Sequence, residues 1–130
     1  MSRLLVDTHT FIWFVYDDPK LSPTARQALE DPSNQVLFSA ASVWESSIKA
    51  GLRKLELFPN PVDFFRLQAE KSGFQFLSLE LQHLEPISLL PQHHSDPFDR
   101  LLIAQALVEN APIVSRDAVF DAYNGLVRIW

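Results

Sequence analysis

The segment DPFDRLLIAQALVENAPIVSRD, residues 96–117, predicts a helix, a turn and a strand in immediate succession. Asp96-Pro97 is a typical helix start, because Asp caps free backbone amides and Pro fits the first helical position. Mostly apolar residues follow as far as Asn110, where we expect the helix to end. The apolar run 113–115 then predicts a short buried strand, and Asp117 lies just beyond it. This segment therefore indicates a fold in which helices and strands alternate.

The same alternation extends outward to both ends of the chain. We predict the remaining strands at 3–6, 35–38, 74–79 and 127–130, with Phe74 and Phe76 pointing inward. We predict the remaining helices at 8–16, which is apolar on every side, at 22–30, at 39–50 with Gly51 as C-cap, at 60–73, and as a short helix and loop over 80–90. Alternation on this scale predicts an α/β fold with a central parallel sheet of about five short strands and helices on both faces.

Length and composition narrow the class of protein. The 130 residues fit one domain spanning 1–130, and 47% apolar with 21% charged residues is an ordinary globular composition. The chain has no cysteine, which excludes disulfides and thiolate metal sites. There is no N-terminal secretion signal and no apolar run of about 20 residues, so we expect a cytoplasmic protein without a membrane partner.

The net charge of −5 argues against a broad basic surface for nucleic acid. Any surface that binds nucleic acid would have to use local basic residues, such as Lys49, Arg53 and Lys54 near the end of the third helix. Favourable contact of these residues with the helix dipole is the simpler explanation of their position.

Acidic residues are predicted to meet at one edge of the sheet. Asp7 follows the first strand, Asp117 follows the fourth, Glu45 lies in the helix after the second, and Asp96 and Asp99 begin the helix before the fourth. In parallel sheets, ligands bind at the carboxyl ends of the strands. Converging carboxylates repel one another unless a cation joins them, and Mg²⁺ and Mn²⁺ prefer oxygen ligands. This placement predicts a divalent metal site that could act on a phosphate.

Helix capping is the alternative explanation for each acid taken singly. Asp96 is a good N-cap, Asp99 resembles the far half of a capping box, and Ser42 with Glu45 has the same spacing. Asp7 is less easily explained in this way, because it follows the apolar run Leu-Leu-Val. The joint placement of the acids favours the metal site.

The motifs that carry these acids resemble a known family in order and spacing. They are LLVDTH at 4–9, SAASVWE at 39–45, DPFDRLLIAQA at 96–106 and IVSRD at 113–117. Together they resemble PIN-domain proteins, and most closely the VapC-type toxins of bacterial toxin–antitoxin pairs. The likeness covers nearly the whole chain.

The resemblance implies the roles of individual residues. The four catalytic and metal-binding acids of the family fall on Asp7, Glu45, Asp99 and Asp117, and Asp96 matches an additional metal ligand. Ser115 would orient Asp117 or a bound water, while His9 has no assigned role.

The resemblance also implies an activity. The protein would be a hydrolase, an endoribonuclease that uses Mg²⁺, with Mn²⁺ as a substitute. It would form a homodimer, act on an RNA substrate as the toxin of such a pair, and be blocked by a cognate antitoxin. One or two metal ions would activate a water for in-line attack on the phosphate, leaving 5′-phosphate and 3′-hydroxyl ends.

Three further groups of residues, the arginines, tryptophans and histidines, have side chains that could belong to such a site. Arg100 and Arg116 neighbour the acids in sequence, and either could hold a substrate phosphate or balance the carboxylates. For Trp13 and Trp44, core or interface positions are favoured over base stacking. The histidines could suggest zinc, but the chain has no cysteine ligands and a solvated loop is the simpler interpretation; they are His83, His93 and His94.

Two alternatives come from other functional classes. A phosphoacceptor receiver domain has a similar size and sheet, but it needs an acidic pair after the first strand and a Lys after the last, which this chain lacks. A non-catalytic PIN fold would only bind a partner, and the intact acid set argues against it. The apolar segments 11–15 and 64–67 could dock an amphipathic antitoxin helix in either case.

Overall fold

The computed structural model describes residues 2–130, which form one parallel sheet with helices around it. The strands are β1 (Ser2–Val6), β2 (Asn34–Ser39), β3 (Gln75–Leu77), β4 (Ile113–Val114) and β5 (Arg128–Ile129). The helices are α1 (Thr8–Val15), α2 (Pro23–Glu30), α3 (Ala40–Gly51), α4 (Pro61–Ser72), α5 (Leu81–Leu84) and α6 (Pro97–Glu109). Two 3₁₀ helices cover Glu85–Leu89 and Ala118–Ala122.

The sheet aligns the ends of its strands. The strand order is β3-β2-β1-β4-β5, and every pairing is parallel. Val6, the last residue of β1, lies opposite Phe38 on one side and Val114 on the other. The segments that leave β1, β2 and β4 therefore start at one edge, which is where the sequence places the acids.

The helices cover both faces of the sheet, as predicted for an α/β fold. Successive residues of β1 point to opposite faces, so Leu4 and Val6 enter one core while Leu5 enters the other. The first core is largely aromatic and includes Phe11, Phe38, Phe64, Phe65 and Phe74. The second core packs β4 against the apolar length of α6 and includes Leu102, Ile103, Ile113 and Phe120.

The boundaries of two predicted elements are wrong. Gly51 belongs to α3 itself, and Leu52 is the C-cap. β3 has three residues rather than six, and Phe76 is 57% exposed although it was predicted to point inward. The reason is that β3 is an edge strand: Phe76 packs on one side against Phe38, with ring centroids 5.4 Å apart, and has no strand beyond it.

The first helix is less uniformly buried than its composition indicates. Phe11 and Ile12 are buried, whereas Trp13 is half-buried and Tyr16 is exposed. Among residues 2–130, none of the helices has the length and apolar character needed to cross a membrane.

Candidate active site

A cavity of about 470 Å³ opens at the carboxyl edge of the sheet, beside the ends of β1 and β4. All five acids predicted to converge line it. The lining residues are Asp7, Thr8, His9, Trp13, Glu45, Lys49, Asp96, Asp99, Arg116, Asp117 and Ala118. The structure therefore brings together carboxylates that are as far as 110 positions apart in the chain, from Asp7 to Asp117.

Ser115 connects the acids that follow β1 and β4. Its hydroxyl donates a hydrogen bond to Oδ2 of Asp7 and accepts one from the backbone amide of Asp117 at 3.0 Å. The other carboxylate oxygen of Asp7 accepts from the amide of Thr10 at 2.9 Å and so caps α1. The predicted orienting role of Ser115 thus has a geometric basis, although the side chain it contacts is that of Asp7 rather than Asp117.

Glu45 is held from two sides. The Thr8 hydroxyl donates to its Oε1 at 2.8 Å, and the Lys49 ammonium lies 2.9 Å from its Oε2. The N-cap of α3 is Ser39, so Ser42 and Glu45 do not form the capping box that their spacing allows. Ser42 instead bonds to the Thr8 hydroxyl at 2.9 Å. The position of Glu45 in the cavity therefore does not come from capping a helix.

The two acids at the start of α6 differ in their partners. Asp96 is the N-cap, accepting from the amides of Phe98 at 2.9 Å and Asp99 at 3.1 Å. Within residues 2–130, the Asp99 carboxylate accepts no hydrogen bond, and Nε2 of His94 lies 3.5 Å from its Oδ2. Nδ1 of that histidine is 2.7 Å from the hydroxyl of Tyr123. Asp99 is thus the acid with the least compensation from the protein.

The electrostatics of the cluster agree with this geometry. Burial, followed by the charges of Asp96, Asp7, Glu45 and Asp117, raises the pKa of Asp99 to about 7. Burial also raises the pKa of Asp7, against the opposing effect of its hydrogen bonds with Ser115 and Thr10. The acids repel one another at neutral pH, and a cation bound between them would relieve that repulsion.

The chemistry of this donor set fits a hard divalent cation. Every candidate ligand is a carboxylate, the type that Mg²⁺ and Mn²⁺ prefer. Within residues 2–130, no three acidic or histidine side chains are oriented to hold a metal ion as they stand. Asp7, Asp96 and Asp117 each accept a hydrogen bond from a backbone amide, so one oxygen of each carboxylate already has a partner in the protein. The cluster therefore fits a metal in its chemistry and charge, but it is not already closed around one.

The two arginines predicted to support the site have different positions. Arg116 lines the cavity, with its guanidinium carbon 6.0 Å from the ring centroid of Trp13. The prediction for Arg100 is wrong, because this residue is buried and does not line the cavity. Its guanidinium donates to the backbone carbonyls of Ile87, Leu90 and Pro91. Adjacency in sequence misled the prediction because successive helix residues point about 100° apart.

Sequence reasoning missed four of the lining residues or gave them other roles. Thr8, His9 and Trp13 lie in the helix that Asp7 caps, and Lys49 lies one turn after Glu45. The i, i+4 spacing of His9 with Trp13 and of Glu45 with Lys49 could have identified these pairs. No comparable sequence pattern connects His94 with Tyr123.

The histidines do not form a zinc site in the described part of the chain. His83 is nearly fully buried, with Nε2 at 2.7 Å from Glu109, so the expected solvated loop is also wrong for this residue. His93 is exposed beside the ring of Tyr123.

Comparison with known structures identifies the same fold in toxin–antitoxin systems. VapBC2 from Rickettsia felis, solved bound to a DNA fragment from its promoter, gives a TM-score of 0.72 at 13% identity over 97% of this chain and 96% of that chain. VapBC-1 from nontypeable Haemophilus influenzae gives 0.67 at 16% identity over 97% and 96%. A toxin–antitoxin complex from Klebsiella pneumoniae gives 0.57 at 16% identity over 95% of each chain. At these identities the likeness establishes the fold alone.

Comparison of sequences defines the family. No curated protein matches the sequence. The sequence model described as "PIN domain" matches residues 4–126, nearly the whole chain, and this excludes the receiver alternative. The chain therefore belongs to the PIN domain family, whose members are generally nucleases.

Proposed function

We propose that this protein is a metal-dependent endoribonuclease and the toxin of a toxin–antitoxin pair. The observation that carries the proposal is the convergence of five carboxylates on one cavity, where their mutual repulsion and burial raise the pKa of Asp99 to about 7. Structural acids are normally paired, and clustered acids with raised pKa values mark functional sites. Membership of a family of nucleases gives the reaction class.

The residues that would hold Mg²⁺, or Mn²⁺ in its place, are Asp7, Asp99 and Asp117, with Glu45 and Asp96 as further ligands. When bound, such an ion polarises the phosphate and lowers the pKa of a water molecule. Ser115 fixes the direction of the Asp7 carboxylate, and Thr8 with Lys49 fixes that of Glu45. Arg116, which lines the cavity, would hold a phosphate of the substrate.

The toxin assignment rests on the near-complete structural overlap with toxin–antitoxin proteins and on the motifs of the sequence. A homodimer, a cytoplasmic location and inhibition by an antitoxin belong to the same proposal. An apolar groove of about 770 Å³ between α3 and α4, lined by Phe38, Trp44, Phe65 and Phe76 among others, would receive the antitoxin. Of the two predicted docking segments, 64–67 contributes to this groove, whereas Phe11 and Ile12 are buried in the core.

Calorimetric binding of Mn²⁺ to the metal-free protein tests the metal site before any RNA target is known. We expect saturable binding to the wild type and its loss in both Glu45→Gln and Asp99→Asn. Asp63→Asn is the matched control, since Asp63 lies outside the cavity and pairs with Arg66. Asn and Asp are nearly isosteric, so Asp99→Asn should not lower the free energy of unfolding by more than about 1 kcal/mol.

Two results would contradict the proposal. If Mn²⁺ does not bind, or binds equally to all variants, the acids are helix caps and surface charges and the protein is a non-catalytic PIN fold. If Mn²⁺-dependent cleavage of RNA occurs but leaves 2′,3′-cyclic phosphate ends, a water activated by metal is not the nucleophile. Products with 5′-phosphate and 3′-hydroxyl ends would support the mechanism.

A further inference from the structure

One side of the acidic cavity is aromatic and basic. His9, Trp13 and Arg116 line the cavity on this side, and Lys20 lies against Trp13 just outside the lining. We call these four residues the Trp13 wall. The rings of His9 and Trp13 stack with centroids 5.8 Å apart and planes inclined by 28°. The Lys20 ammonium lies 5.8 Å and the Arg116 guanidinium carbon 6.0 Å from the indole centroid. The wall therefore combines π faces with positive charge next to the acids.

Packing accounts for only part of this arrangement: Trp13 contacts the first core and its ring centroid lies 6.1 Å from that of Trp130, but the residues on its other side are not core residues. Trp13 is only half-buried, while His9, Lys20 and Arg116 are exposed. In the part of the chain that the structure describes, neither Lys20 nor Arg116 forms an ion pair with an acid, although the chain carries an excess of acidic residues. Two positive charges thus remain without an ion pair, Arg116 in the lining of a negatively charged cavity and Lys20 beside it on Trp13. They can attract an anion that the acids alone would repel.

We propose that the Trp13 wall binds one unpaired nucleotide of a single-stranded RNA next to the phosphate that is cleaved. The base would stack on the surface formed by Trp13 and His9, and Arg116 with Lys20 would hold a flanking phosphate. Stacking on an aromatic side chain, with cationic side chains along the backbone, is how proteins bind single strands with little sequence preference. The inference rests on the proposed function and adds a base-binding subsite beside the phosphate that is cleaved. A duplex cannot fill this subsite, because its bases are stacked on one another.

Trp44 provides a contrast within the same molecule. It is 53% exposed, more accessible than Trp13, but its ring packs edge-on against Phe98 with centroids 5.0 Å apart. It lines the apolar groove between α3 and α4 rather than the acidic cavity. Within residues 2–130, cations lie over the ring of Trp13 but not over that of Trp44. Trp44 is therefore a suitable control for the stacking surface.

The test is the affinity for a fluorescein-labelled pool of short random-sequence RNA, measured by fluorescence anisotropy on single strands and on the same pool annealed to its complement. All variants carry Asp99→Asn so that the probe is not cleaved. We expect Trp13→Leu to weaken single-strand binding by about tenfold or more while leaving duplex binding unchanged, and Trp13→Phe to retain most of the affinity. Trp44→Leu should bind as the parent does. His9→Ala, an exposed position that does not endanger folding, should weaken binding to single strands only.

Three outcomes would overturn the inference. Trp13→Leu could bind single strands as tightly as its parent, or it could lose the same affinity for single strands and for duplex. The parent could also fail to bind single strands at all. If Trp13→Leu does not fold, an unchanged affinity in His9→Ala has the same consequence. Mn²⁺-dependent RNA cleavage by the chain with Asp99 intact is measured separately. If the protein cleaves RNA but substitutions at Trp13 and His9 do not change RNA affinity, only the proposed role of the Trp13 wall is refuted. If the protein neither cleaves RNA nor binds Mn²⁺, the proposed function itself is refuted.

Discussion

Strand β1 and helix α6 bring charged groups together at both edges of the sheet. The protein compensates the acid at the amino edge but leaves acids at the carboxyl edge without such partners. At the amino edge of the sheet, Glu109 accepts from Arg3 at 3.0 Å and lies 2.7 Å from His83, and these partners lower its pKa. At the carboxyl edge, Asp99 stands among other acids such as Asp7, and its pKa rises to about 7. The same helix therefore holds one acid that is fully compensated and one that is not.

The difference separates a structural charge from a functional one. The Glu109 carboxylate is compensated within the protein by an arginine and a histidine, and it fixes the end of α6 to β1 and α5. A cluster of acids with little compensation opposes folding at neutral pH, so it is better explained by a ligand than by stability. The contrast predicts opposite consequences for substitutions at the two edges.

The largest of these effects is expected at Ser115, which contacts both Asp7 and Asp117. Ser115→Ala removes the hydroxyl that orients Asp7 and leaves the amide of Asp117 without its partner. Loss of a group that orients a metal ligand typically lowers metal affinity by about 10- to 100-fold. Calorimetry with Mn²⁺ should show a decrease of this size.

Ser115→Thr is the control, because it retains the hydroxyl. Mn²⁺ affinity close to that of the wild type in the Thr variant, with the loss confined to Ala, would assign the effect to the hydrogen bond. Equal affinity in Ser115→Ala and the wild type would show that the contact is irrelevant to the site.

The amino edge should respond in stability and not in metal binding. Glu109→Ala leaves the buried ring of His83 without its partner, which should lower the free energy of unfolding by about 1–3 kcal/mol. Mn²⁺ affinity should not change. Glu30→Ala is the control, since Glu30 pairs with Arg26 at the surface and should contribute about 0–1 kcal/mol. Urea denaturation measures both variants, and a weakened metal site in Glu109→Ala would break the distinction between the edges.

The sequence was sufficient to predict the fold class and the convergence of the five acids Asp7, Glu45, Asp96, Asp99 and Asp117. Alternating strands and helices indicate a parallel sheet, and the carboxyl ends of parallel strands lie at one edge. It did not predict which neighbours the acids have. Arg100 follows Asp99 and Arg116 precedes Asp117, yet only Arg116 lines the cavity.

Tertiary contacts account for the other differences between the prediction and the structure. His83 is bound by Glu109 and Arg3 contacts the same carboxylate, although the three residues are far apart in the chain. Phe76 has the apolar character of a core residue, but its place on an edge strand leaves it exposed. Local pattern determines the elements, whereas burial and long-range partners depend on how the elements pack.

The smallest predicted effect is the pH dependence of stability, in which the two edges act in different ranges. The pKa of Asp99 is about 7 in the folded protein against an ordinary value of 3.8, so the folded state binds more protons than the unfolded state between about pH 4 and 7. The free energy of unfolding of the metal-free protein should therefore fall as the pH rises through this range. Allowing for partial exposure of Asp99, the fall should be about 1–2 kcal/mol.

Glu109 acts in the opposite direction, because its pKa is lowered on folding. Its contribution is present above its unfolded pKa of about 4.3 and is lost as the pH falls through the lower folded value. Urea denaturation in EDTA from pH 3 to 8 should accordingly show stability rising at the acidic end and declining toward neutrality. The decline should be smaller in Asp99→Asn, where Asp7 with its raised pKa still contributes, and it should be reversed by Mn²⁺ in the wild type. A decline of the same size in Asp99→Asn would show that the acids at the carboxyl edge do not repel one another as the structure indicates.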